Sequence, residues 1–150
     1  MFDSLSHSVL LQKLQGIGIT RDIWLWIRDY LANQYQVTTI NGCSSSVHRV
    51  TFGVPQGHSL FSLFCNDLPD IVNDCEGEFQ MYADDITVYV TSSNPNMVAT
   101  SLNFTLSKLT NWHQNNFLAP HLCKTEVILM KHSTSIGPLQ GIKFGSTIIN

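Results

Sequence analysis

Charged residues are scarce in this sequence. Only 13% of its 150 residues are charged, whereas 43% are hydrophobic, so the chain can form one core and is too apolar to remain disordered. We expect a single domain or part of one. The net charge is −3, and phosphate neutralisation requires clustered Lys and Arg. We therefore expect this acidic chain to bind nucleic acid only weakly on its own.

Long apolar runs are also lacking. None approaches the roughly 18 residues that a membrane-spanning helix needs. The N-terminus has neither the basic nor the apolar region of a signal peptide. We expect an intracellular protein without a membrane partner, and the choice between nucleus and cytoplasm stays open.

The sequence contains no closely spaced pairs of cysteines or histidines that could bind a metal ion. The four cysteines form no Cys-x-x-Cys pair and the six histidines show no His-x-x-x-His spacing. Neither a structural zinc nor a disulfide framework is indicated, and free thiols are the better interpretation. The cysteines are Cys43, Cys65, Cys75 and Cys123.

Apolar residues at helical spacing predict two helices in the first third of the chain. The first covers residues 8–14, and the second begins after an N-cap at Thr20 and ends near Asn33. The second helix has a broad apolar face that we predict to be core. That face consists of Ile23, Trp24, Ile27, Tyr30 and Leu31.

Two more helices are predicted further along. Residues 60–68 are an apolar stretch that suits a buried helix ending before Pro69. Asn94 and Pro95 are an N-cap and a first-turn proline, and they open a long helix over residues 95–115. Its apolar positions are Val98, Leu102, Leu106, Leu109 and Trp112.

Turn signals between β-branched runs predict hairpins. Residues 36–40 and 47–54 flank Asn41-Gly42, which is a strong hairpin turn. Residues 142–149 predict a small hairpin around a glycine, and residues 126–130 predict a strand.

Residues 78–83 and 86–91 are strand-like runs separated only by Asp84-Asp85, so we predict a tight hairpin with both aspartates at its tip. Residues 133–141 are predicted to be a loop. The overall pattern is α+β, with helices packed on one face of a small, mostly antiparallel sheet.

Adjacent carboxylates at a hairpin tip repel one another, and a protein usually tolerates them where a cation neutralises the charge. Mg²⁺ takes its oxygen ligands from one or two carboxylates and completes its shell with water and substrate phosphates. This arrangement suits phosphoryl transfer. The alternative is a solvated turn, because Asp favours turns through local hydrogen bonds.

Met81-Tyr82-Ala83-Asp84-Asp85 resembles the Tyr-x-Asp-Asp motif of reverse transcriptases, and other blocks occur in the family's order. The whole set resembles the reverse transcriptase domain of LINE-like retrotransposons, which lack long terminal repeats. The resemblance implies that residues 1–150 are a partial polymerase palm, truncated at both ends. The further blocks are Phe2-Asp3-Ser4-Leu5-Ser6-His7, Trp26-Ile27, Tyr30-Leu31, Ile40-Asn41-Gly42, Gly53-Val54-Pro55-Gln56-Gly57, Asn66-Asp67-Leu68-Pro69 and Lys124-Thr125.

The resemblance implies a catalytic role for the Asp-Asp pair. Asp84 would be a magnesium ligand and Asp85 its neighbour in the catalytic turn, with Mn²⁺ able to replace Mg²⁺. The implied reaction is RNA-directed DNA polymerisation, and the implied partners are an RNA template, a DNA primer and a dNTP. A structural hairpin is the alternative for this pair.

Four more residues match nucleotide- or template-binding positions of the family. Tyr82 would lie near the primer terminus, and Gln56 would contact the template or the incoming nucleotide. Phe2 matches the aromatic that screens the sugar 2′ position, and Lys124 would neutralise the departing pyrophosphate. The alternatives are loop filling for Gln56, simple packing for Phe2 and an ordinary surface position for Lys124.

One catalytic residue of the family has no counterpart in these 150 residues. The first palm motif begins with an aspartate five residues before the phenylalanine that matches Phe2, and that position would fall upstream of Met1. Asp3 lies on the wrong side of Phe2 to replace it. We therefore expect little or no polymerase activity from this chain. The alternative reading is a decayed or domesticated palm that serves as a non-catalytic interaction module.

Overall fold

The structure is a computed structural model that describes residues 2–54, 59–73, 75–132, 139 and 141–149. It divides into two units, Met1–Asn66 and Asp67–Asn150.

Two packed helices begin the first unit, as the sequence predicts. Helix α1 spans His7–Gly16 and helix α2 spans Arg21–Ala32. Trp24 of α2 donates its indole N–H to the Leu11 carbonyl at 3.0 Å, which ties the two helices together. Thr20 occupies the N-cap position of α2, but its hydroxyl makes no capping bond.

The predicted core face of α2 is only partly correct. Ile27 and Leu31 are buried, whereas Ile23 is 62% exposed. Helix α2 carries apolar residues on two sides, and the neighbours within its unit cover one of them. On the other side the exposed Trp26 ring stacks on Tyr30, with 6.0 Å between the ring centroids.

The predicted hairpin around Asn41-Gly42 is confirmed. Strands β2 (Thr39–Ile40) and β3 (Cys43–Ser44) pair directly across the turn. Strands β1 (Tyr35–Gln36) and β4 (His48–Arg49) continue the pairing. Between these two pairings the first strand has two residues, 37 and 38, whereas the strand that returns after the turn has three, 45–47. The extra residue makes a β-bulge.

The apolar stretch after this hairpin forms two short helices, so the prediction of a single helix over residues 60–68 is wrong. Helix α3 spans Ser59–Phe64, and helix α4 spans Leu68–Val72 with Pro69 in its first turn. A proline cannot donate to the carbonyl four residues back, and its ring clashes with that carbonyl. It fits the first turn of a new helix, where its missing N–H has no partner to lose.

The longest helix organises the second unit. Helix α5 spans Pro95–Asn115, as predicted, and the Asn94 side chain caps it by accepting from the Asn96 N–H at 3.0 Å. Its buried side packs against α4, and the Trp112 indole N–H donates to the Asp67 carboxylate at 3.2 Å. The buried apolar residues of α5 are Leu106, Leu109 and Trp112.

The predicted terminal hairpin is confirmed. Strands β7 (Lys143–Phe144) and β8 (Thr147–Ile148) flank a turn that begins at Gly145, where φ is +62°. Side chains of α5 hold this hairpin: the Asn103 amide oxygen accepts from the Lys143 N–H at 2.8 Å, and the Thr110 hydroxyl accepts from the Gly145 N–H at 3.1 Å.

The strand predicted for residues 126–130 is wrong. This segment pairs with no strand among the described residues, although Val127 and Leu129 are half-buried and Ile128 and Met130 are exposed. Alternation of burial shows that one side of a segment is covered, and it does not require a hydrogen-bonded neighbour. The loop predicted for residues 133–141 falls almost entirely outside the described residues.

The remaining strands are β5 (Glu78–Tyr82) and β6 (Asp85–Tyr89), and two short 3₁₀ turns lie at Phe2–Ser4 and Leu122–Lys124. The described strands form four separate two-stranded antiparallel sheets, and together with the helices they confirm the α+β class. Within the described part of the chain, no helix combines the length and hydropathy needed to cross a membrane.

A buried histidine lies where α5 meets the terminal hairpin. The His113 Nδ1 is 2.7 Å from the Leu109 carbonyl, and its ring meets the Trp112 and Phe144 rings edge-on. Burial lowers the pKa of His113 below its ordinary value of 6.5, and the backbone hydrogen bond opposes this shift only in part. The folded protein therefore favours the neutral ring, which donates from Nδ1.

This histidine should make the protein less stable in mild acid. Below the ordinary pKa the unfolded chain takes up a proton that the folded chain resists, so stability present above that value is lost as the pH falls. We expect the melting temperature to drop between about pH 7.5 and about pH 5.5, and to drop less in His113→Gln. The control is His121→Gln, at an exposed position. An equal drop in His113→Gln and in the unmodified chain would contradict this assignment.

Candidate active site

The β5–β6 hairpin carries the Asp-Asp pair, but its turn lies one residue earlier than predicted. Tyr82 pairs with Asp85, so the turn consists of Ala83 and Asp84. Ala83 adopts φ +53°, the left-handed region that tight hairpin turns use at their first central position. The prediction that both aspartates occupy the tip is wrong: Asp84 lies in the turn, and Asp85 is the first residue of β6.

The register gives the hairpin two different faces, because directly opposed residues share a face and faces alternate along a strand. One face is apolar and is half-buried for the most part. The other is polar and exposed, and it includes Tyr82, which is 84% exposed. The apolar pairs are Phe79 with Val88 and Met81 with Ile86; the polar pairs are Glu78 with Tyr89, Gln80 with Thr87 and Tyr82 with Asp85.

Acidic groups occupy both ends of the polar face. At the end away from the turn, the Tyr89 hydroxyl donates to the Glu78 carboxylate at 2.5 Å. This hydrogen bond, followed by desolvation and by the Glu78 charge, raises the pKa of Tyr89 above its ordinary value of 10.0. At the other end, Asp84 and Asp85 are adjacent in the sequence, with Asp84 in the turn and Asp85 at the start of β6. The hairpin therefore has one acid bound to a tyrosine at its far end and two adjacent acids at its turn.

The two adjacent acids fit a hard cation. Both residues are exposed and both supply carboxylate oxygens, which are the ligands that Mg²⁺ prefers. Among the described residues no cluster of three or more His, Cys, Asp or Glu could enclose a metal ion. Mg²⁺ needs no such cage, because it commonly binds through one or two carboxylates with water and substrate phosphates. Asp84 and Asp85 are the residues that would hold it.

The other predicted site residues occupy separate positions. Phe2 packs on Phe61 in the first unit, with 4.3 Å between the ring centroids. Lys124 ends the short 3₁₀ turn Leu122–Lys124 and is exposed. Gln56 lies outside the described residues. The structure therefore brings together Tyr82, Asp84 and Asp85, and the roles of Phe2, Gln56 and Lys124 remain predictions.

Sequence reasoning missed a clasp in the first unit between residues 2–7 and 52–54. The Val54 N–H donates to the Phe2 carbonyl at 3.0 Å, and the Gly53 N–H donates to the Leu5 carbonyl at 2.8 Å. The His7 ring nitrogen Nε2 lies 2.7 Å from the Gly53 carbonyl oxygen. The segment that carries Phe2 is thus fixed to the residues that immediately precede Pro55-Gln56-Gly57 in the sequence.

Gly53 is the residue that allows this close approach. Its φ is +89°, and a Cβ at this position would lie 2.9 Å from the Asp3 Cα, so any other residue would force the backbone apart. Gly53 stands out in the sequence only as the first residue of the family-like block Gly53-Val54-Pro55-Gln56-Gly57. His7 had no signal of its own, because its partner is 46 residues away.

Comparison with known proteins matches the sequence of this chain to one family. Residues 1–144 match the family model described as reverse transcriptase (RNA-dependent DNA polymerase). The chain belongs to the reverse transcriptase family. This confirms the resemblance to reverse transcriptases seen in the sequence.

Two curated relatives are similar to this chain, and both are described as RNA-directed DNA polymerase from mobile element jockey. The protein from Drosophila funebris is 33% identical over 101 residues, which is 61% of this chain and 11% of the relative. The protein from Drosophila melanogaster is 30% identical over 124 residues, which is 76% of this chain and 13% of the relative. The matched regions are thus a small part of each relative. No solved structure matches significantly.

The turn residue Ala83 offers a test of the hairpin geometry. An L-residue in the left-handed region costs about 1 kcal/mol or more, and glycine has no such penalty. We expect Ala83→Gly to raise the free energy of unfolding by about 0.5 kcal/mol, after the greater freedom of glycine in the unfolded chain is subtracted. Urea denaturation measures this change.

The matched control for this substitution is Ala99→Gly within α5, where the same change should lower stability by about 1 kcal/mol. If Ala83→Gly destabilises the protein as Ala99→Gly does, the positive φ at Ala83 is wrong.

Proposed function

We propose that this chain supplies the Asp-Asp part of a reverse transcriptase palm, which performs magnesium-dependent nucleotidyl transfer. The substrates are an RNA template, a DNA primer and a dNTP. The observation that carries this proposal is the β5–β6 register, which places Tyr82 and Asp85 together on an exposed polar face beside Asp84 in the turn. Membership of the family supplies the reaction class.

In the proposed reaction the primer 3′-oxygen attacks the α-phosphorus of the dNTP. A new P–O bond forms, the bond to the departing pyrophosphate breaks, and the hydroxyl proton is lost to solvent or to a base. Asp84 and Asp85 would hold Mg²⁺, or Mn²⁺ in its place. When bound, such an ion would supply Lewis-acid stabilisation of the charge that develops on the attacking and leaving oxygens.

Other side chains position the reactants in this proposal. Tyr82 faces Asp85 across the hairpin and is exposed enough to lie against the primer terminus. Lys124 is an exposed cation that suits the departing pyrophosphate. Phe2 is assigned to the sugar 2′ position and Gln56 to the template or incoming base. The Gly53 clasp supports the Phe2 role, because it fixes the segment that carries Phe2 to Gly53 and Val54, which precede Gln56 in the sequence.

Asp84 and Asp85 account for only part of the carboxylates that a two-metal site uses. The family places another aspartate five residues before the position of Phe2, and residues 1–150 contain no match to it. A polypeptide of these residues should therefore bind the cation weakly and turn over little substrate.

Paramagnetic line broadening locates the cation site directly. On adding Mn²⁺ to the ¹⁵N-labelled chain, we expect the amide signals of residues 82–86 to broaden first, because carboxylates at the turn are the favoured oxygen donors. The double variant Asp84→Asn with Asp85→Asn should lose this broadening. The matched control, Glu78→Gln, changes an acid of the same face and should leave it intact. Broadening centred anywhere else would refute the proposed metal site.

Primer extension tests the activity of residues 1–150 alone. On an RNA template with saturating Mg²⁺, we expect no product above background, since a carboxylate needed for the two-metal reaction is not supplied by these residues. The comparison is the same chain extended upstream by the family's aspartate block. If residues 1–150 extend the primer and Asp84→Ala abolishes that activity, the two carboxylates suffice for catalysis.

A further inference from the structure

One side of helix α2 is apolar and largely exposed, and none of the proposed catalytic roles accounts for it. It consists of Ile23, Trp26 and Tyr30, which follow the 3–4 spacing of the seam residues in a coiled coil. Ile23 is 62% exposed and Trp26 is 67% exposed, and the half-buried Tyr30 ring stacks on Trp26. We call these three residues the α2 stripe.

The α2 stripe has the composition of a protein-binding surface. Trp and Tyr are enriched among the residues that carry most of the binding energy of protein interfaces. Single exposed apolar residues are common on any protein, whereas a contiguous group on one face marks a site of interaction. Two aromatic rings and an isoleucine together offer apolar surface on the order of a few hundred Å².

The geometry of the stripe favours a helix as its partner. Helix α2 has 12 residues, which makes it about 18 Å long. Apolar side chains at 3–4 spacing leave holes between them, and the side chains of a second helix fill these holes. A partner helix of about three turns with the same spacing therefore covers the stripe.

Two acids border the α2 stripe on one side. Asp22 lies four residues before Trp26 and Asp29 lies three residues after it, so both are neighbours of Trp26 on the helix surface. Within the described part of the chain, the Asp22 carboxylate makes no hydrogen bond or ion pair. Asp29 accepts from Arg28 through Oδ1 at 2.8 Å, which leaves Oδ2 for a second cation. This border is therefore negative.

The opposite border of the stripe is closed. Ile27 and Leu31 lie there, and both are buried within their own unit. A partner helix can approach only over the acidic border, so its own flanking residues meet Asp22 and Asp29. Opposite charges at the flanks of a helix pair favour association, and like charges oppose it. The partner that fits this face has Lys or Arg along its flank.

A second copy of the chain fits this face poorly. Two antiparallel α2 helices related by a two-fold axis bring the same border of each together, so Asp22 of one copy meets Asp29 of the other. A parallel pair would place these acids against Ile27, which is buried. Charge thus favours a different partner over self-association.

We propose that the α2 stripe binds an amphipathic helix of another protein, with an apolar seam at 3–4 spacing and a basic flank. The seam packs on Ile23, Trp26 and Tyr30, and the Lys or Arg side chains face Asp22 and Asp29. This binding requires neither a metal ion nor catalysis, so it is independent of the proposed function.

Two synthetic peptides of about 21 residues, three heptads long, test the proposal by fluorescence anisotropy. Both have leucine at the seam positions and alanine at the outer positions. One has lysine at the flanking positions, and the other has glutamate. At concentrations where each peptide is monomeric, the lysine peptide should bind the 150-residue chain. The glutamate peptide should bind at least about tenfold more weakly, because like charges across a contact are costly.

Substitutions in α2 locate the contact. Trp26→Gln should weaken binding of the lysine peptide at least about tenfold, because an aromatic anchor is lost. The double variant Asp22→Asn with Asp29→Asn should weaken it about threefold or more through two lost exposed ion pairs. The same double variant should also lose the preference for the lysine peptide over the glutamate peptide. Circular dichroism melts confirm that each variant is folded.

Matched controls separate the stripe from general hydrophobicity and charge. Phe104→Gln removes an exposed ring from a different helix, and Asp70→Asn with Glu126→Gln removes two exposed acids from the second unit. Both should bind the lysine peptide as the unmodified chain does. Equal losses in variant and control, equal binding of the two peptides, or no binding of the lysine peptide would overturn the proposal.

Two further measurements decide between this partner and other occupants. When the lysine peptide is added to the ¹⁵N-labelled chain, the amide signals of residues 22–30 should shift most, and larger shifts elsewhere would overturn the site. Sedimentation equilibrium should show no dimer that depends on the stripe. A dimer of the unmodified chain that Trp26→Gln dissociates would assign the stripe to a second copy and overturn the basic partner.

Discussion

In the β5–β6 hairpin, Tyr82 pairs with Asp85 across a turn of two residues, and the placement of the Asp-Asp pair depends on that pairing. A shift of one residue would move each side chain to the opposite face. Tyr82 and Asp85 would then leave the exposed polar face, and the half-buried apolar residues would take their place. Ala83 at positive φ holds the register, so the chemistry of the carboxylates depends on the backbone of a residue with no functional group.

Elements with a local chemical signal could be predicted from the sequence. Asn94-Pro95 starts α5, and Asn41-Gly42 closes the first hairpin, because capping and positive φ depend on a few neighbouring residues. Pro69 was misread, since the same proline that ends one helix can open another. The turn at Ala83 was misplaced because the aspartates fit a turn equally well by residue type.

Features that depend on distant residues could not be predicted. Ile23 and Ile27 lie on the same helix, and only their neighbours in the folded unit decide that Ile23 is exposed and Ile27 is buried. The family motif identified Asp84 and Asp85, whereas the bond between His7 and Gly53 has no counterpart in any local pattern. The net charge of −3 describes the whole chain and does not show that residues 1–66 contain four basic and three acidic residues, because the unit boundary is visible only in the fold.

Short connections join the strands of each pair in the described part of the chain, and local pairing of this kind affects the order in which the chain folds. Each two-stranded sheet closes locally, whereas the bonds from His7 to Gly53 and from Lys13 to Phe64 join residues 46 and 51 positions apart. Local pairing of this kind is associated with fast folding. Loop-closure entropy falls on the long-range bonds, which lie around α1 in the first unit and between α5 and residues 67, 143 and 145 in the second, so substitutions at His7 or Gly53 should slow folding more than substitutions in the β2–β3 turn do.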